Sequence, residues 1–402
     1  MVERAGTVLV VGSSLAGLRA CEQLRALGHA GRIVLVGAEA GLPYDRPPLS
    51  KRFLAGRLDE PALALCTREH LESLQLDARL GVRASALDVE GRRCELEDGS
   101  EVAFDGVVIA TGATPRTLPG ARDLKGVHTL RSRGDALALR DALGEPSVRL
   151  VVVGGGFLGM EVAGTARELG CEVTVVEPLA EPLGRVLAAE LGAALRALHE
   201  RRGVVVRTGV GVRALAGEGH VEAVELTDGS RLPADVVLVA IGVVPEVDWL
   251  AGSGLRLEDG VVCDAALLAA PGVAAAGDVA RWPHPAARGL VRLEHWTNAA
   301  EQGAHAAASL LAEGAPPPYV PVPYFWSDHF DTKVQALGLP MPEDDVEVID
   351  GSLASGRFVA CCVRAGRLSG VVGFGRPRQV TALRPLVARG APLAEARSLL
   401  VP

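Results

Sequence analysis

Four residues at a defined spacing point to the first piece of chemistry: Gly154, Gly156, Gly159 and Glu177. The glycines follow a β-branched run, Val151-Val152-Val153, and open a helix-like segment. The acid closes a second apolar run about twenty residues further on. Gly154 permits a tight turn, Gly156 lets backbone approach a pyrophosphate, and Gly159 lets helix and strand pack closely. The helix N-terminus adds unpaired N–H groups and a partial positive charge for the phosphates. Residues 150–177 therefore read as a dinucleotide site.

Glu177 also bears on which dinucleotide. A carboxylate there accepts two ribose hydroxyls but faces a 2′-phosphate with like charge. Two unit charges ~4 Å apart at an effective dielectric of ~20 interact by about 4 kcal/mol, nearly a thousandfold in affinity. Pro178 follows, where a 2′-phosphate would want a basic residue, and Arg185 is near enough to soften the preference. NADH is the expected nucleotide.

The elements that must position these residues occur twice. Residues 8–28 match the same frame: Gly12 pairs with Gly154, Gly17 with Gly159 and Gly28 with Gly170. Ser14 stands where the central glycine normally sits, and Glu39 follows a second strand expected at 33–36. Residues 95–115 also align without a gap on residues 225–245. Each copy runs glycine-turn unit, meander, then a closing strand ending in Gly112 or Gly242. Two nucleotide-binding domains of one design in one chain predict an α/β fold of two duplicated Rossmann-like domains.

At 402 residues the chain suffices for two or three domains with cores of their own. The longest apolar run, 236–244, is far short of the ~20 residues a bilayer requires, and residues at the N-terminus show no signal-peptide pattern. A cytoplasmic protein is expected. Seven scattered cysteines with no CxxC spacing indicate neither a disulfide framework nor a zinc site, and adjacent Cys361 and Cys362 would face opposite sides of a strand. A net charge of −8, with acids interspersed among arginines, disfavours nucleic acid as a partner.

After the first acid comes GLPYDRPPLSK, residues 41–51. Pro43, Pro47 and Pro48 exclude regular structure until Leu49, and Ser50 is a plausible N-cap for a helix over the following residues. On residue type alone this is equally a proline-rich surface loop with solvated charges. PYDRPPLSK after a glycine-turn unit resembles the oxygenase-coupled ferredoxin reductases, the putidaredoxin reductase-like family. AAAGDVA (274–280), RLEHWTNAAEQG (292–303) and PYFWSD (323–328) agree with that resemblance, which covers essentially the whole chain. Disulfide reductases of the same layout place a reactive cysteine or cysteine pair shortly after the first acid. Here no cysteine lies between Cys21 and Cys66, so dithiol chemistry is not expected.

The resemblance implies FAD in the first site and NADH in the second. It places Gly12, Leu15, Ala16, Gly17 and Glu39 at the FAD diphosphate and ribose, with Arg46 and Lys51 along the cofactor. Ala84 matches the position that meets the adenine, and Arg131 an arginine that touches FAD. Ala110, Thr111, Gly112, Gly277, Asp278, Glu294, His295 and Trp296 complete the implied FAD set, with Asp278 at the ribityl chain and Trp296 by the isoalloxazine. The NADH set is Gly154, Gly156, Leu158, Gly159, Glu161, Glu177, Arg185 and Gly242. Lys51, Glu161 and Trp296 take the catalytic positions. An ammonium such as Lys51 favours hydride acceptance by a flavin that tends towards an anion when reduced, and Glu161 would pair with that lysine. As plain residue types, Lys51 is a solvated lysine, Trp296 a core tryptophan, and Glu161 an acid that favours the positive end of a helix.

The domains implied are FAD-binding over 1–115 and 246–320, NADH-binding over 116–245, and a C-terminal α+β interface domain over 321–402. In the last, strands are expected at 334–337, 346–350, 358–364 and 368–374, with one helix over 379–389. Trp326 and Asp328 resemble flavin-edge residues, although a tryptophan at 326 serves packing equally well. The implied activity is NADH-dependent reduction of a small iron–sulfur ferredoxin, two-iron by family habit, which supplies an oxygenase. No resident metal is expected, and the chain would be a monomer or homodimer. Two other readings stay open: an NADH oxidase or rubredoxin reductase of the same layout, and a redox scaffold resembling apoptosis-inducing factor.

Overall fold

The structure is a computed structural model that describes residues 5–400, apart from the side chain of Arg122. The first residues, where no leader pattern is read, lie mostly outside the described part. Packing divides the chain into two units. The first comprises Met1–Asp45, Pro61–Thr114 and Val244–Pro321; the second comprises Arg46–Glu60, Pro115–Val243 and Val322–Pro402.

The core of the first unit is a six-stranded sheet in the order Leu268–Ala270, Val273–Ala275, Gly106–Ile109, Val8–Val11, Ile33–Gly37, Leu76–Leu80. All neighbours are parallel except the first pair. The four central strands are apolar and buried along their whole length, as a parallel sheet covered on both faces demands. The helices Leu15–Ala26 and Trp296–Leu311 pack against one another closely. A Cβ at Gly303 would lie 2.1 Å from the carbonyl oxygen of Ala16, so only glycine allows that approach. The second helix begins three residues earlier than the start its alanine-rich run, 299–313, suggests.

The proline-rich stretch 316–321 is tied to the first unit. His305 Nε2 bonds the Pro317 carbonyl at 3.0 Å, Tyr319 N donates to the Ala265 carbonyl at 2.7 Å, and His284 Nε2 bonds the Pro321 carbonyl at 3.0 Å.

The second unit holds a five-stranded parallel sheet in the order Val205–Thr208, Glu172–Glu177, Arg149–Val153, Val236–Val239, Val127–His128. It also holds an antiparallel sheet in the order Tyr324–His329, Thr332–Gly338, Arg367–Phe374, Arg357–Arg364, Asp345–Ser352. Three short helices accompany it: Pro377–Ala382, Arg384–Ala388 and Leu393–Leu400. The single helix expected over 379–389 is thus two, because Pro385 fits only a first helical turn and the chain restarts there. The opening strand and the last helix were not among the expected elements.

The duplication is visible bond by bond. Asp105 Oδ2 accepts Thr7 N at 2.7 Å, and Asp235 Oδ2 accepts Arg149 N at 2.9 Å, each aspartate closing the start of its domain's first strand. Asp98 accepts from the N–H and hydroxyl of Ser100, and Asp228 does the same for Ser230, at equivalent turns of the two meanders.

The proline loop differs from its sequence reading. Pro47–Ser50 forms a 3₁₀ turn, and Ser50 does not cap a helix after it. Proline is well suited to a first helical turn, where its missing N–H would have no partner anyway. Leu49 N reaches the Arg46 carbonyl at 2.9 Å and Lys51 N the Pro48 carbonyl at 3.0 Å.

Candidate functional site

Each unit presents a glycine turn at the carboxyl end of its central strand. Gly12 and Gly154 have φ of +117° and +110°, a region glycine alone adopts without strain. A Cβ at Gly12 would lie 2.1 Å from the Ala110 carbonyl oxygen, and one at Gly154 would lie 2.3 Å from that of Ala240. A Cβ at Gly17 or Gly159 would strike the carbonyl of its own turn glycine at 1.8 or 2.1 Å. Ser14 and Gly156 are the equivalent N-caps, with φ of −84° and −74°. Serine therefore takes the central position without backbone strain.

These turns fit dinucleotides on an observation independent of the motif. The helices Leu15–Ala26 and Phe157–Glu168 start with no side-chain cap and no acid in the first turn. By contrast, Arg133–Ala142 is closed by a full Ser132/Asp135 capping box, and Thr67 caps Arg68–Ser73. Trp296–Leu311 also starts with no side-chain cap and no first-turn acid, but the open ends at Leu15 and Phe157 each follow a strand and a glycine turn, the arrangement a pyrophosphate would use. A Cβ at Gly156 would meet nothing within 4 Å.

In the first unit, Thr111 donates to the Glu246 carbonyl at 2.8 Å, and the Gly112 carbonyl accepts Glu246 N at 3.0 Å. Glu39 accepts the Tyr44 hydroxyl. Ala84 is half-buried in the strand Ala84–Asp88. Gly277, at φ +77°, donates its N–H to Gln302 Oε1 at 2.8 Å, while the buried Gln302 Nε2 has no partner among the described residues. Asp278 follows, its carbonyl accepting Arg292 Nη1, which also pairs with Glu294 at 2.8 Å. His295 occupies the N-cap position of the helix that Trp296 opens, and burial pushes its imidazole down to about 4. Trp296 Nε1 donates to Asp45 Oδ1 at 2.7 Å. Leu15, Ala16 and Ala110 line the glycine turn as buried small or apolar groups.

In the second unit, Glu177 is buried at the end of its strand. Its Oε2 accepts Gly155 N at 2.7 Å and its Oε1 accepts Leu179 N at 2.9 Å. It therefore braces the glycine turn. Leu158 is partly exposed at the helix start, Arg185 is exposed on the following loop, and Gly242 has φ of +93°.

Lys51, Glu161, Arg46 and Arg131 also belong to this unit. Glu161 sits in the second turn of its helix, one turn later than its nearness to the glycines suggests. Its Oε2 pairs with Lys51 Nζ at 2.7 Å and accepts the Ser50 hydroxyl at 2.6 Å, while its Oε1 accepts the Ser327 hydroxyl. Lys51 Nζ also donates to the Pro47 carbonyl at 3.1 Å, and Thr165 holds the Ser50 carbonyl at 2.8 Å. Arg46 Nη1 donates to the Arg131 carbonyl at 2.6 Å.

Trp326 stacks on Tyr324 with ring centroids 6.0 Å apart and lies 5.9 Å from Lys333 Nζ, which pairs with Asp328 at 2.6 Å. Behind this strand, the buried His329 meets His199 at 3.2 Å. Ser327 and Gln302 were not singled out from sequence, and Ser50 only as a helix N-cap. Their signal was their place inside the motifs RPPLSK, PYFWSD and RLEHWTNAAEQG.

All seven cysteines are unpaired, and no three His, Cys, Asp or Glu side chains among the described residues are grouped to hold a metal. Cys361 and Cys362 are both fully buried, and burial pushes each thiol up to about 12. No described helix is long and apolar enough to cross a membrane.

Comparison with known proteins gives two family matches: pyridine nucleotide-disulphide oxidoreductase over residues 6–303 and reductase C-terminal over residues 324–399. The chain is 38% identical over 391 residues to rhodocoxin reductase of Rhodococcus erythropolis, covering 96% of this chain and 90% of that protein. It is 40% identical over 367 residues to the biphenyl dioxygenase system ferredoxin–NAD(+) reductase component of Paraburkholderia xenovorans, covering 89% and 88%. Among solved structures, it superposes on the covalent putidaredoxin reductase–putidaredoxin complex with a TM-score of 0.91 at 33% identity, covering 96% of this chain and 94% of that one.

Proposed function

The chain belongs to the pyridine nucleotide-disulphide oxidoreductase family, and from that premise we propose an NADH-dependent, FAD-containing ferredoxin reductase that supplies an oxygenase. One observation carries the reading: two open glycine-turn helices in one chain, with no cysteine pair to receive electrons between them. The names of the relatives support the acceptor. A ferredoxin–NAD(+) reductase component and a reductase solved with its redoxin partner match this chain over nearly its full length.

We assign FAD to residues 1–115 and 246–320, NADH to 116–245, and the ferredoxin interface to 321–402. Gly12, Gly17, Glu39, Asp278 and Trp296 would hold FAD, and the family resemblance gives Arg46, Lys51 and Arg131 to the same cofactor. The second glycine turn and Glu177 would hold NADH. Bound FAD supplies acceptance of a hydride from NADH and release of electrons one at a time. The protein's part is position and field. Glu161 fixes the Lys51 ammonium, and that positive charge favours the electron-rich form of the bound group. The backbone N–H groups of the two helix starts hold the diphosphates. Unpaired cysteines, all but Cys66 buried, suit a reducing cytoplasm.

Cytochrome c reduction with NADH, with and without a two-iron ferredoxin, tests the reading. A fast rate that needs both NADH and ferredoxin is expected, with NADPH much slower. A fast rate indifferent to ferredoxin would replace this reading with a diaphorase or oxidase.

A further inference from the structure

We propose that Ser327 is a positioning residue for the Lys51–Glu161 pair, so that the C-terminal sheet fixes the charge beside the hydride site. The inference rests on the role given to that pair above.

The strand Tyr324–His329 turns alternate residues to opposite sides. Ser327 and His329 face inward and are 1% and 0% exposed, while Trp326 and Asp328 stay half-exposed. The inward face meets the helix Phe157–Glu168. Phe325 packs on Phe157 with centroids 4.5 Å apart, and the Ser327 hydroxyl donates to Glu161 Oε1.

The two carboxylate oxygens therefore have separate holders. Ser50 and Lys51 take Oε2, and among the described residues Ser327 alone donates to Oε1. Glu161 is 7% exposed, so an Oε1 without its donor would be desolvated and unmatched. The terminal torsion of a glutamate is soft, so one anchored oxygen does not set the plane of the group, whereas two do.

Three charged or titratable groups bear on the site. They are Lys51 from the segment after the 3₁₀ turn, His329 from the strand, and His199 from the helix Ala189–Arg201 behind it. Burial holds both imidazoles neutral, and Lys51 presses His329 further in that direction.

The test uses oxidised holoenzyme at neutral pH. The carboxylate stretching bands of Glu161 are read by infrared difference spectroscopy and assigned by their loss in Glu161→Gln. Ser327→Ala should shift these bands, because Oε1 loses its donor, and Ser327→Thr should restore them. His199→Gln alters the packing behind the strand but keeps the hydroxyl, so the bands should not move. In stopped flow, anaerobic flavin bleaching by NADH should slow roughly three- to tenfold in Ser327→Ala, with little change in KM. Unshifted carboxylate bands in Ser327→Ala overturn the proposal. A wild-type bleaching rate in Glu161→Gln instead removes Glu161 from the hydride site and overturns the role given to the pair, whatever the bands do.

Discussion

Glu177 shows how far a single residue can be read in advance. The ribose role proposed for it follows from its place at the end of the second strand. Its bracing of the turn depends on Gly155, twenty-two positions away, and no local pattern announces that bond. Removing the carboxylate should therefore do two things at once. Glu177→Arg is expected to improve the NADPH-to-NADH ratio of kcat/KM by at least roughly tenfold. It should also cost about 1–3 kcal/mol of stability, because two backbone N–H groups lose their acceptor. Steady-state kinetics with both nucleotides and a melting curve would check both effects. Ser50 and Ser327 were hidden for the same reason: a buried serine acquires its meaning from what the fold places opposite it. Lys51 and Glu161 could be paired from resemblance, but the hydroxyls that fix their geometry could not.

Among the elements, the two glycine-turn units were legible almost whole, since strand, turn, helix and acid each leave a separate mark in the residues. The close crossing of Leu15–Ala26 and Trp296–Leu311 left almost none. Gly303 looks like one small residue among alanines until its missing Cβ is placed against the Ala16 carbonyl. Gly303→Ala should push these helices apart. We expect a loss of about 1–3 kcal/mol, with FAD retained less well on gel filtration, whereas Gly314→Ala, which meets open space, should change neither. The C-terminal domain was read less completely. Its four longest strands alternate or run apolar, but the opening strand mixes aromatic, polar and charged residues and gave no period. Its buried network was equally silent. Asp344 accepts from Arg364 Nε and Nη2 at 2.7 and 3.0 Å, from the Ser369 hydroxyl at 2.6 Å and from Met341 N at 2.9 Å. Asp344→Ala leaves these donors without their acceptor and should destabilise the fold by about 3–5 kcal/mol on chemical denaturation.

For the molecule as a whole, acid should be destabilising in a definable window. Burial pushes His199 and His295 from about 6.5 down to about 4, and His329 well down, so the unfolded chain binds protons there that the folded chain does not. Their contribution is complete above about pH 6.5 and is lost as pH falls towards 4. For His199 alone the change amounts to about 3 kcal/mol. Melting temperatures from pH 7.5 to 4.5 should fall, and His199→Gln should flatten that slope.

The order of segments along the chain has a further consequence, for synthesis on the ribosome. The strand Val273–Ala275, which pairs with the first unit's central strand Gly106–Ile109, is made more than 160 residues after it. All five strands of the inserted parallel sheet are complete by residue 239. Domains usually mature from the N-terminus during translation. Here the first unit begun is finished after the parallel sheet inserted within it, and its unpaired strand edge waits for translation to reach residue 275. Nascent chains stalled with residue 260 just outside the exit tunnel should show the inserted sheet protected from protease and the first sheet still open to it. Equal protection of both would mean that the early strands hold together without their late neighbour.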